Sequence, residues 1–350
     1  MDARHFDADV VVVGGGPAGA AAAIACAIRG QRVMLIERDR FVRERPGETL
    51  HPGVEPLLAQ LGLADRLHSV VGARHDGIWV EWGGPPRFEA FGSDETGPWS
   101  GFQVWRADFD ALLLSRTGEV GVDVRQPATV LGLLSSGGVR TDFGDVAARM
   151  LVDATGRSRW LGRLLDIGSS AHSPRLLARY GYAEGACPAR DAAPALVGDA
   201  GGWTWTARVR PGTYQWTRLC LDGTPDGGWV PEEFRGLTAT TPPRGADVTW
   251  RLAAETARPG WFMVGDAAAT LDPTSSHGVL KALMSGMMAG HLIAAVLDGK
   301  APAQEAAQAY HDWIAGWFRT DAVRLAAFYR DLGMPGFAPV AGASVGQTRP

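Results

Sequence analysis

A run of glycines near the start of the chain restricts the possible folds more than any other feature. The segment reads Gly14-Gly15-Gly16-Pro17-Ala18-Gly19, which satisfies G-x-G-x-x-G, and it stands between an apolar run, Ala8–Val13, and an alanine-rich stretch, residues 17–29. In a strand–turn–helix unit, the first glycine allows the tight turn and the second lets the backbone approach a pyrophosphate. The third lets the helix pack closely on the strand. The segment therefore predicts a dinucleotide site at Gly14, Gly16, Pro17, Ala18 and Gly19.

An acidic residue follows the next apolar run, residues 32–36, which is predicted to be the second strand of a β-α-β unit. Glu37 stands about twenty residues after the glycines, where a carboxylate accepts hydrogen bonds from ribose hydroxyls and disfavours a 2′-phosphate. Arg38 is predicted to lie at the same nucleotide. The alternative for the glycine segment is a tight turn that binds no ligand.

Two further apolar runs end in glycine turns. Residues 150–152 lead through Asp153 toward Gly156, and residues 261–264 lead into Gly265-Asp266. Ligands of open parallel sheets bind beyond the carboxyl ends of the strands. The three strand ends are therefore expected to converge on one ligand.

Other segments predict a second, sheet-based lobe. Residues 78–91 and 202–221 alternate apolar or aromatic with polar residues, which is typical of antiparallel strands with one solvated face. Residues 301–332 carry aromatic side chains at helical spacing that either dock a partner or a membrane surface or cover the main domain, and residues 333–350 are expected to be frayed.

The fold class is therefore α/β, a Rossmann-like dinucleotide-binding domain with an inserted antiparallel-sheet substrate domain and a C-terminal helical region. The dinucleotide domain is assigned to residues 1–70, 101–165 and 253–300. The substrate domain is assigned to residues 71–100 and 166–252, and the helical region and tail to residues 301–350.

Composition excludes several other functions. The net charge of −4 provides no basic field for a phosphate backbone, so nucleic acid is not an expected partner. Cys26, Cys187 and Cys220 are odd in number and lack CxxC spacing, which argues against a disulfide framework or a structural metal site. The first apolar run is short and follows acidic residues, so neither a signal peptide nor a membrane span is expected there. These features indicate a cytoplasmic protein.

Residues 264–279 resemble the second FAD fingerprint of the para-hydroxybenzoate-hydroxylase-like flavoproteins, through Gly265-Asp266, Asp272-Pro273, Ser275-Ser276 and Gly278-Val279. The resemblance implies FAD bound in a GR2-type domain, with Asp266 at the ribityl chain. It places Pro273, Ser276, Gly278 and Val279 beside the isoalloxazine ring. Free amides at the start of a helix at Gly278 would stabilise negative charge on a reduced flavin. The alternative, compatible with this one, is an ordinary helix start capped by Ser275 or Ser276.

Two motifs resemble the flavin-dependent halogenase branch of that superfamily: Arg45-Pro-Gly-Glu48-Thr49-Leu-His51-Pro-Gly and Asp272-Pro-Thr-Ser-Ser276-His277-Gly-Val. More narrowly, they look like the flavoproteins that mature quinone-containing amino-acid oxidases and amine dehydrogenases by oxygenating a tryptophan of a partner polypeptide. The resemblance covers about residues 5–330 and implies that Arg45, Glu48, Thr49 and Arg106 hold the flavin. Trp203-Thr-Trp205-Thr resembles the halogenase W-x-W-x-I-P box, although Ala207 and Arg208 replace its last two residues.

The chain departs from its relatives in two ways. Tryptophan halogenases use a lysine beyond the first fingerprint to handle hypohalous acid, whereas the only lysines here are Lys281 and Lys300. This argues against chlorination by that route. Lys281 is interpreted as a charge on a helix surface, with the alternative that a rearrangement of the site brings it into the role of the halogenase lysine. NADPH-using hydroxylases carry an aspartate where this chain has Thr155, and a second G-x-G-x-x-G is missing. Electrons are therefore expected from a separate flavin reductase or from the substrate.

Two histidines within the flavin motifs are the candidates for catalysis, His277 in the second motif and His51 in the first. Histidine suits proton transfer near neutral pH. The alternative for each is a structural histidine whose ring is satisfied within the fold. His75, Asp76 and Glu81 are further acid–base candidates, with an exposed loop position as the alternative.

Four tryptophans are predicted to form an aromatic wall for the substrate, against the alternative of core packing: Trp82, Trp203, Trp205 and Trp216. The expected reaction is FAD-dependent monooxygenation that hydroxylates an indole or tryptophan-type substrate, either as a small molecule or within a peptide or partner protein. The alternatives are flavin-dependent halogenation, an oxidase or dehydrogenase reaction without oxygen insertion, and a non-catalytic role as a flavin-containing maturation partner.

Overall fold

The computed structural model describes residues 6–41, 45–95, 97–221, 229–331, 333–334 and 336–337. Its first elements are β1 (Ala8–Val13), α1 (Pro17–Ala27), β2 (Val33–Ile36), β3 (Thr49–Leu50), α2 (Val54–Gln60), β4 (Val71–His75), β5 (Gly77–Glu81), β6 (Arg87–Ala90), β7 (Ser93–Asp94), β8 (Gly97–Pro98), β9 (Gly101–Val104), α3 (Arg106–Glu119) and β10 (Asp123–Arg125).

The central part of the chain contains β11 (Val130–Leu133), β12 (Val139–Thr141), β13 (Gly144–Val146), β14 (Ala148–Asp153), α4 (Trp160–Leu164), β15 (Ser169–Ala171), β16 (Leu177–Glu184), α5 (Pro188–Ala192), β17 (Ala195–Asp199), β18 (Gly202–Arg210) and β19 (Thr213–Cys220). The last elements are β20 (Thr238–Ala239), β21 (Arg244–Asp247), β22 (Arg251–Ala253), β23 (Ala257–Arg258), β24 (Trp261–Met263), β25 (Ala269–Thr270), α6 (Gly278–Leu297) and α7 (Ala303–Asp331).

A six-stranded sheet with the order β10-β2-β1-β14-β24-β23 forms the centre of the fold. Strand β1 pairs in parallel with β2 and β14, and β14 pairs in parallel with β24. The register places Val13 beside Asp153 and Asp153 beside Met263, so the three predicted glycine turns leave the sheet at one edge. The predicted Rossmann-like β-α-β unit is confirmed, with α1 ending at Ala27 rather than at residue 29.

Helix α6 lies against α1 at close range because small residues face each other. A Cβ atom on Gly286 would lie 2.2 Å from the carbonyl oxygen of Ala18, and one on Gly290 would lie 2.6 Å from the Cβ of Ala25. Among the described helices, α6 is long and apolar enough to cross a membrane. Its contacts with α1 account for this composition, because a helix packed inside a protein is surrounded by apolar side chains and is therefore itself apolar.

A second, eight-stranded sheet has the order β20-β16-β19-β18-β17-β5-β6, with β21 also paired to β16. Its pairings are antiparallel, as predicted for residues 78–91 and 202–221, except that β17 runs parallel to β5. The domain boundaries assigned from the sequence stay a prediction.

Helix α7 confirms the helix predicted near the C-terminus and covers the main sheet with buried side chains, among them Tyr310, Ile314 and Phe318. Met334 and Phe337 are also buried, and Phe337 stacks on Tyr329 with ring centroids 4.3 Å apart. The prediction of a frayed tail is therefore wrong at these positions, because apolar side chains there have a core to pack against. Residues 338–350 lie outside the described part of the chain.

Candidate functional site

A cavity of about 550 Å³ opens at the carboxyl edge of the six-stranded sheet, within the size range of cofactor sites. The turns after β1, β14 and β24 all contribute to its lining. Of the residues predicted to bind the cofactor, all but Gly19 line it: Gly14, Gly16, Pro17, Ala18, Glu37, Arg38, Arg45, Glu48, Thr49, Arg106, Gly265, Asp266, Pro273, Ser276, Gly278 and Val279. Segments far apart in the sequence therefore form one site.

The glycine turn leaves room that larger residues would fill. Gly14 has φ +108°, and a Cβ atom there would lie 2.4 Å from the carbonyl oxygen of Ala154. A Cβ atom on Gly19 would lie 1.9 Å from the carbonyl oxygen of Gly14. Gly19 therefore acts in helix–strand packing rather than in lining the cavity, whereas the amides at the start of α1 stay open to an anionic ligand. This cradle fits the pyrophosphate of a dinucleotide.

The Glu37 carboxylate is buried at the rim of the cavity and braces the turn. Its Oε2 accepts a 2.7 Å hydrogen bond from the backbone N–H of Gly15, and its Oε1 accepts one of 2.8 Å from the N–H of Asp39. The negative charge beside the glycine turn suits ribose hydroxyls and repels a further phosphate.

A buried network holds the segment before β3. Glu48 accepts hydrogen bonds from the Tyr182 hydroxyl at 2.5 Å and from the Gly47 N–H at 2.8 Å. Burial raises the pKa of Glu48, while the Tyr182 hydrogen bond and the charge of Arg106 oppose that rise. Arg106 is itself paired with Asp110 at 3.0 Å. These contacts fix the cavity wall that the sequence motif around Glu48 forms.

Asp266 presents a carboxylate to the opposite side of the cavity. Surrounding protein raises its pKa, and the positive charge of Arg157, 3.6 Å away, opposes the rise. Its side chain is nevertheless 45% exposed, because the cavity is open beside it. The carboxylate is therefore free to accept hydrogen bonds from a polyol chain such as the ribityl group.

A second cavity of about 210 Å³ adjoins the first and shares with it Thr49, Ile78, Leu196, Trp205, Thr274 and Ser276. His51 and His277 line it, with their rings edge to face and centroids 4.9 Å apart. Nδ1 of His51 accepts a 3.0 Å hydrogen bond from the N–H of Gly53. Burial lowers the pKa of His51, and burial together with the nearby His51 lowers the pKa of His277 to about 4. Both rings are therefore neutral near pH 7.

The remaining wall of the second cavity is mostly apolar, formed by Leu50, Val80, Phe91, Leu325 and Phe328, and Glu89 is the one charged residue among the described residues that line it. A flat apolar ring suits such a site. Leu325 and Phe328 come from α7, and sequence reasoning did not identify them. Helical periodicity marked their helix as amphipathic, but it carries no information about which site the helix covers.

The four predicted substrate tryptophans divide into two pairs. Trp203 and Trp205 line the main cavity, and Trp205 also lines the second. Trp82 is instead buried against Phe328, to whose carbonyl oxygen it donates a 3.3 Å hydrogen bond, and Trp216 packs on Trp229 with ring centroids 5.3 Å apart. Trp82 and Trp216 therefore line neither cavity, because their rings pack against other side chains in the interior.

The sequence context predicts that Lys281 is a charge on a helix surface, whereas the structure shows it largely covered and paired. Its side chain is 20% exposed, and Nζ lies 3.1 Å from Oδ2 of Asp321 and 4.3 Å from the centroid of the Trp317 ring. Neither cavity is lined by Lys281 or by Lys300. Lys281 therefore joins α6 to α7.

The other acid–base candidates differ in their exposure to solvent. Asp76 and Glu81 are exposed, in agreement with their alternative interpretation. His75 is buried on β4, and both of its ring nitrogens lack a hydrogen-bond partner among the described residues. An exposed loop position is therefore wrong for His75, because β4 pairs with β9 and directs the ring inward beside Phe91, with ring centroids 5.6 Å apart.

Comparison with known proteins agrees with this geometry. A family model described as an FAD binding domain matches residues 7–161. A tryptophan 2-halogenase of Chondromyces crocatus is 28% identical over 91% of this chain and 67% of its own. The flavin-dependent halogenase armH1 of Armillaria mellea is 30% identical over 85% of this chain and 67% of its own.

Solved structures give the same result. The myxobacterial chondrochloren halogenase CndH has a TM-score of 0.85 and 26% identity, over 95% of this chain and 85% of its own. QhpG, a peptidyl tryptophan dihydroxylase of tryptophylquinone cofactor biogenesis, has a TM-score of 0.73 and 25% identity, over 94% of this chain and 77% of its own. The chain is an FAD-dependent oxidoreductase of the FAD-dependent monooxygenase superfamily and belongs to its flavin-dependent halogenase family.

Proposed function

We propose that this protein hydroxylates an aromatic ring of the indole type with FAD and O₂. The observation that carries the proposal is the second cavity, where His51 and His277 face each other beside the cofactor cavity and no lysine lines the wall. The site thus offers a space for a flat ring and two neutral imidazoles beside it. It does not offer the lysine on which tryptophan halogenases depend.

The cofactor is assigned to the 550 Å³ cavity. There the amides at the start of α1 bind the pyrophosphate, Glu37 binds the ribose and Asp266 binds the ribityl chain. When bound, reduced FAD supplies, together with O₂, an electrophilic oxygen for an electron-rich ring. The start of α6 at Gly278 faces the same cavity and provides backbone amides for negative charge.

Proton transfer is assigned to His277, and His51, whose Nδ1 already accepts the Gly53 N–H, lies beside it. When a hydroxyl group replaces a ring hydrogen, one atom of O₂ enters the ring, the other leaves as water and the ring carbon releases a proton. A neutral imidazole accepts that proton, and the lowered pKa of His277 keeps it neutral. The apolar wall of the second cavity excludes water from the reacting ring.

The size of the second cavity favours a substrate that inserts only a ring. At about 210 Å³, it is smaller than the roughly 300–1,000 Å³ of sites that enclose a whole drug-sized ligand. The rest of a larger substrate would remain outside. This supports a tryptophan side chain within a peptide or partner protein, and the similarity to QhpG, a peptidyl tryptophan dihydroxylase, agrees with it.

Halogenation is the second candidate, because the relatives named above include a tryptophan 2-halogenase and a further flavin-dependent halogenase. Lys281 is the lysine nearest the site, and it is paired with Asp321 on α7. If Lys281 left this pair to act in the cavity, its replacement would abolish halogenation. Lys281→Met therefore separates the two candidates, with Lys300→Met as its matched control because Lys300 is exposed and paired with Asp298.

The test uses the FAD-loaded protein, reduced anaerobically and then mixed with isotopically labelled O₂, bromide and a tryptophan-containing peptide. We expect the peptide to gain labelled oxygen, in amounts that Lys281→Met leaves unchanged and His277→Gln reduces. Bromine incorporated into the peptide by the wild-type protein but not by Lys281→Met would indicate that the reaction is halogenation rather than hydroxylation. Dehydrogenated peptide without oxygen would indicate an oxidase, and a flavin that no donor reduces would indicate a non-catalytic role. Adding a separate flavin reductase with NADPH tests whether such a reductase, rather than the substrate, supplies the electrons.

A further inference from the structure

We propose that Tyr329 of the C-terminal helix is a positioning residue for the cofactor site, and that it holds the loop Asp272–Ser276 against the cavity. The proposal deepens the proposed function and rests on it for the activity readout. The readout in cofactor affinity is independent of the reaction. Helix α7, which covers the main sheet and lines the second cavity, would then also hold a wall of the cofactor cavity.

The Tyr329 hydroxyl contacts two side chains that belong to different parts of the cavity wall. Tyr329 is fully buried, and its hydroxyl accepts a 2.8 Å hydrogen bond from Nε1 of Trp203. The same hydroxyl lies 2.9 Å from Oγ1 of Thr274. Trp203 and Thr274 both line the main cavity, and Thr274 also lines the second. One buried oxygen thus joins α7 to two separate walls of the cofactor cavity.

The loop is held at a second point as well. Asp272 is buried, and its carboxylate accepts hydrogen bonds from Nε1 of Trp250 at 2.5 Å and from the N–H of Thr274 at 2.8 Å. Ser276, at the end of the loop, has φ +50°, a left-handed backbone conformation that residues other than glycine seldom adopt. Because such a conformation is disfavoured, the loop needs contacts that hold it in place.

The hydrogen-bonding role of Tyr329 is separable from its packing. The ring stacks on Phe337 at 4.3 Å, so Tyr329→Phe keeps the stacked ring and removes only the hydroxyl. That change leaves the buried Trp203 N–H and the Thr274 hydroxyl without this partner. If Tyr329 only stabilised the fold, the variant would lower the melting temperature and leave the affinity for FAD unchanged.

The experiment compares FAD binding to the apoprotein of the full chain, by quenching of flavin fluorescence, with thermal unfolding of each variant. For Tyr329→Phe we expect the Kd for FAD to rise about tenfold, because the free energy lost with one hydrogen bond to a buried group corresponds to about that change in Kd. We also expect more of the consumed O₂ to appear as H₂O₂ instead of oxygenated peptide. Tyr214→Phe is the matched control, because Tyr214 is equally buried and lines neither cavity. Its hydroxyl donates a hydrogen bond to Asp191 and accepts one from the N–H of Cys187.

A double-mutant cycle with Thr274→Val completes the test, because it asks whether Tyr329 acts through Thr274. We expect the double variant to bind FAD no more weakly than the weaker of the two single variants. Fully additive losses, or a Kd for FAD that Tyr329→Phe leaves unchanged, would overturn the proposal. If the wild-type protein binds FAD but oxygenates no substrate, the proposed function fails, while the FAD affinities still decide the role of Tyr329.

Discussion

The hydroxyl of Tyr182, on strand β16 of the eight-stranded sheet, lies 2.5 Å from Oε1 of Glu48, in the segment that precedes β3. The hydrogen bond joins two regions that are far apart in the sequence, and it lies beside the cofactor cavity. It is therefore a point at which the sheet and the cofactor site depend on each other.

Removal of this hydrogen bond is expected to destabilise the protein. Tyr182→Phe leaves a buried carboxylate with one donor fewer, which costs about 1–3 kcal/mol of unfolding free energy. Urea unfolding of the apoprotein measures the change. Tyr180→Phe is the control, because the Tyr180 hydroxyl has no hydrogen-bond partner within the described residues. An equal loss of unfolding free energy in Tyr182→Phe and Tyr180→Phe would contradict a specific role for the hydrogen bond to Glu48.

Substitution of Gly14 is expected to abolish FAD binding. In Gly14→Ala, the new methyl group would meet the carbonyl oxygen of Ala154 at 2.4 Å in a left-handed conformation. The unfolding free energy of Gly14→Ala should fall by about 2 kcal/mol or more. Gly118→Ala, in helix α3 with open space around the Cβ position, should instead be neutral or stabilise by about 0.5–1 kcal/mol. Retention of yellow, FAD-loaded protein by Gly14→Ala would show that the cofactor binds elsewhere.

The stability of the protein should fall as the pH drops from about 6.5 toward 4. Burial lowers the pKa of His75 and of His277 from 6.5 to about 4 in the folded state. Between those pH values the unfolded chain binds more protons, so acid favours unfolding, by up to about 3 kcal/mol for each histidine. Urea unfolding at several pH values measures the slope.

The matching variants assign this slope to its source. His75→Gln should flatten the pH dependence, because it removes a group that takes up its proton only on unfolding. His68→Gln should leave the slope as it is, since His68 is exposed. A slope that His75→Gln does not change would place the effect in other groups.

The two tryptophans of neighbouring strands should respond differently to substitution. Trp205 lines both cavities, so Trp205→Ala should raise the KM for a tryptophan-containing substrate about tenfold. Trp216→Phe should lower the melting temperature and leave KM unchanged, because Trp216 packs against Trp229 in the core. A change in KM for Trp216→Phe alone would reverse this assignment of the substrate wall.

The sequence by itself determined the central fold and the place of the cofactor cavity. Glycines at fixed spacing after an apolar strand permit few backbone geometries, so the turn at Gly14 and the acidic residue at Glu37 were readable from local pattern alone. The turn at Gly265 followed from the same reasoning, because carboxyl ends of neighbouring parallel strands share an edge. These inferences depend on short stretches of chain and on sheet geometry.

Only the tertiary structure decided how the second cavity is composed. It brought His51 to His277, turned Trp82 and Trp216 into the core, and supplied Phe328 and Tyr329 from the last helix. It also paired Lys281 with Asp321 across two helices. Such positions depend on which faces of distant elements pack together, and the 3.6- and 2-residue periodicities fix a face without fixing its partner.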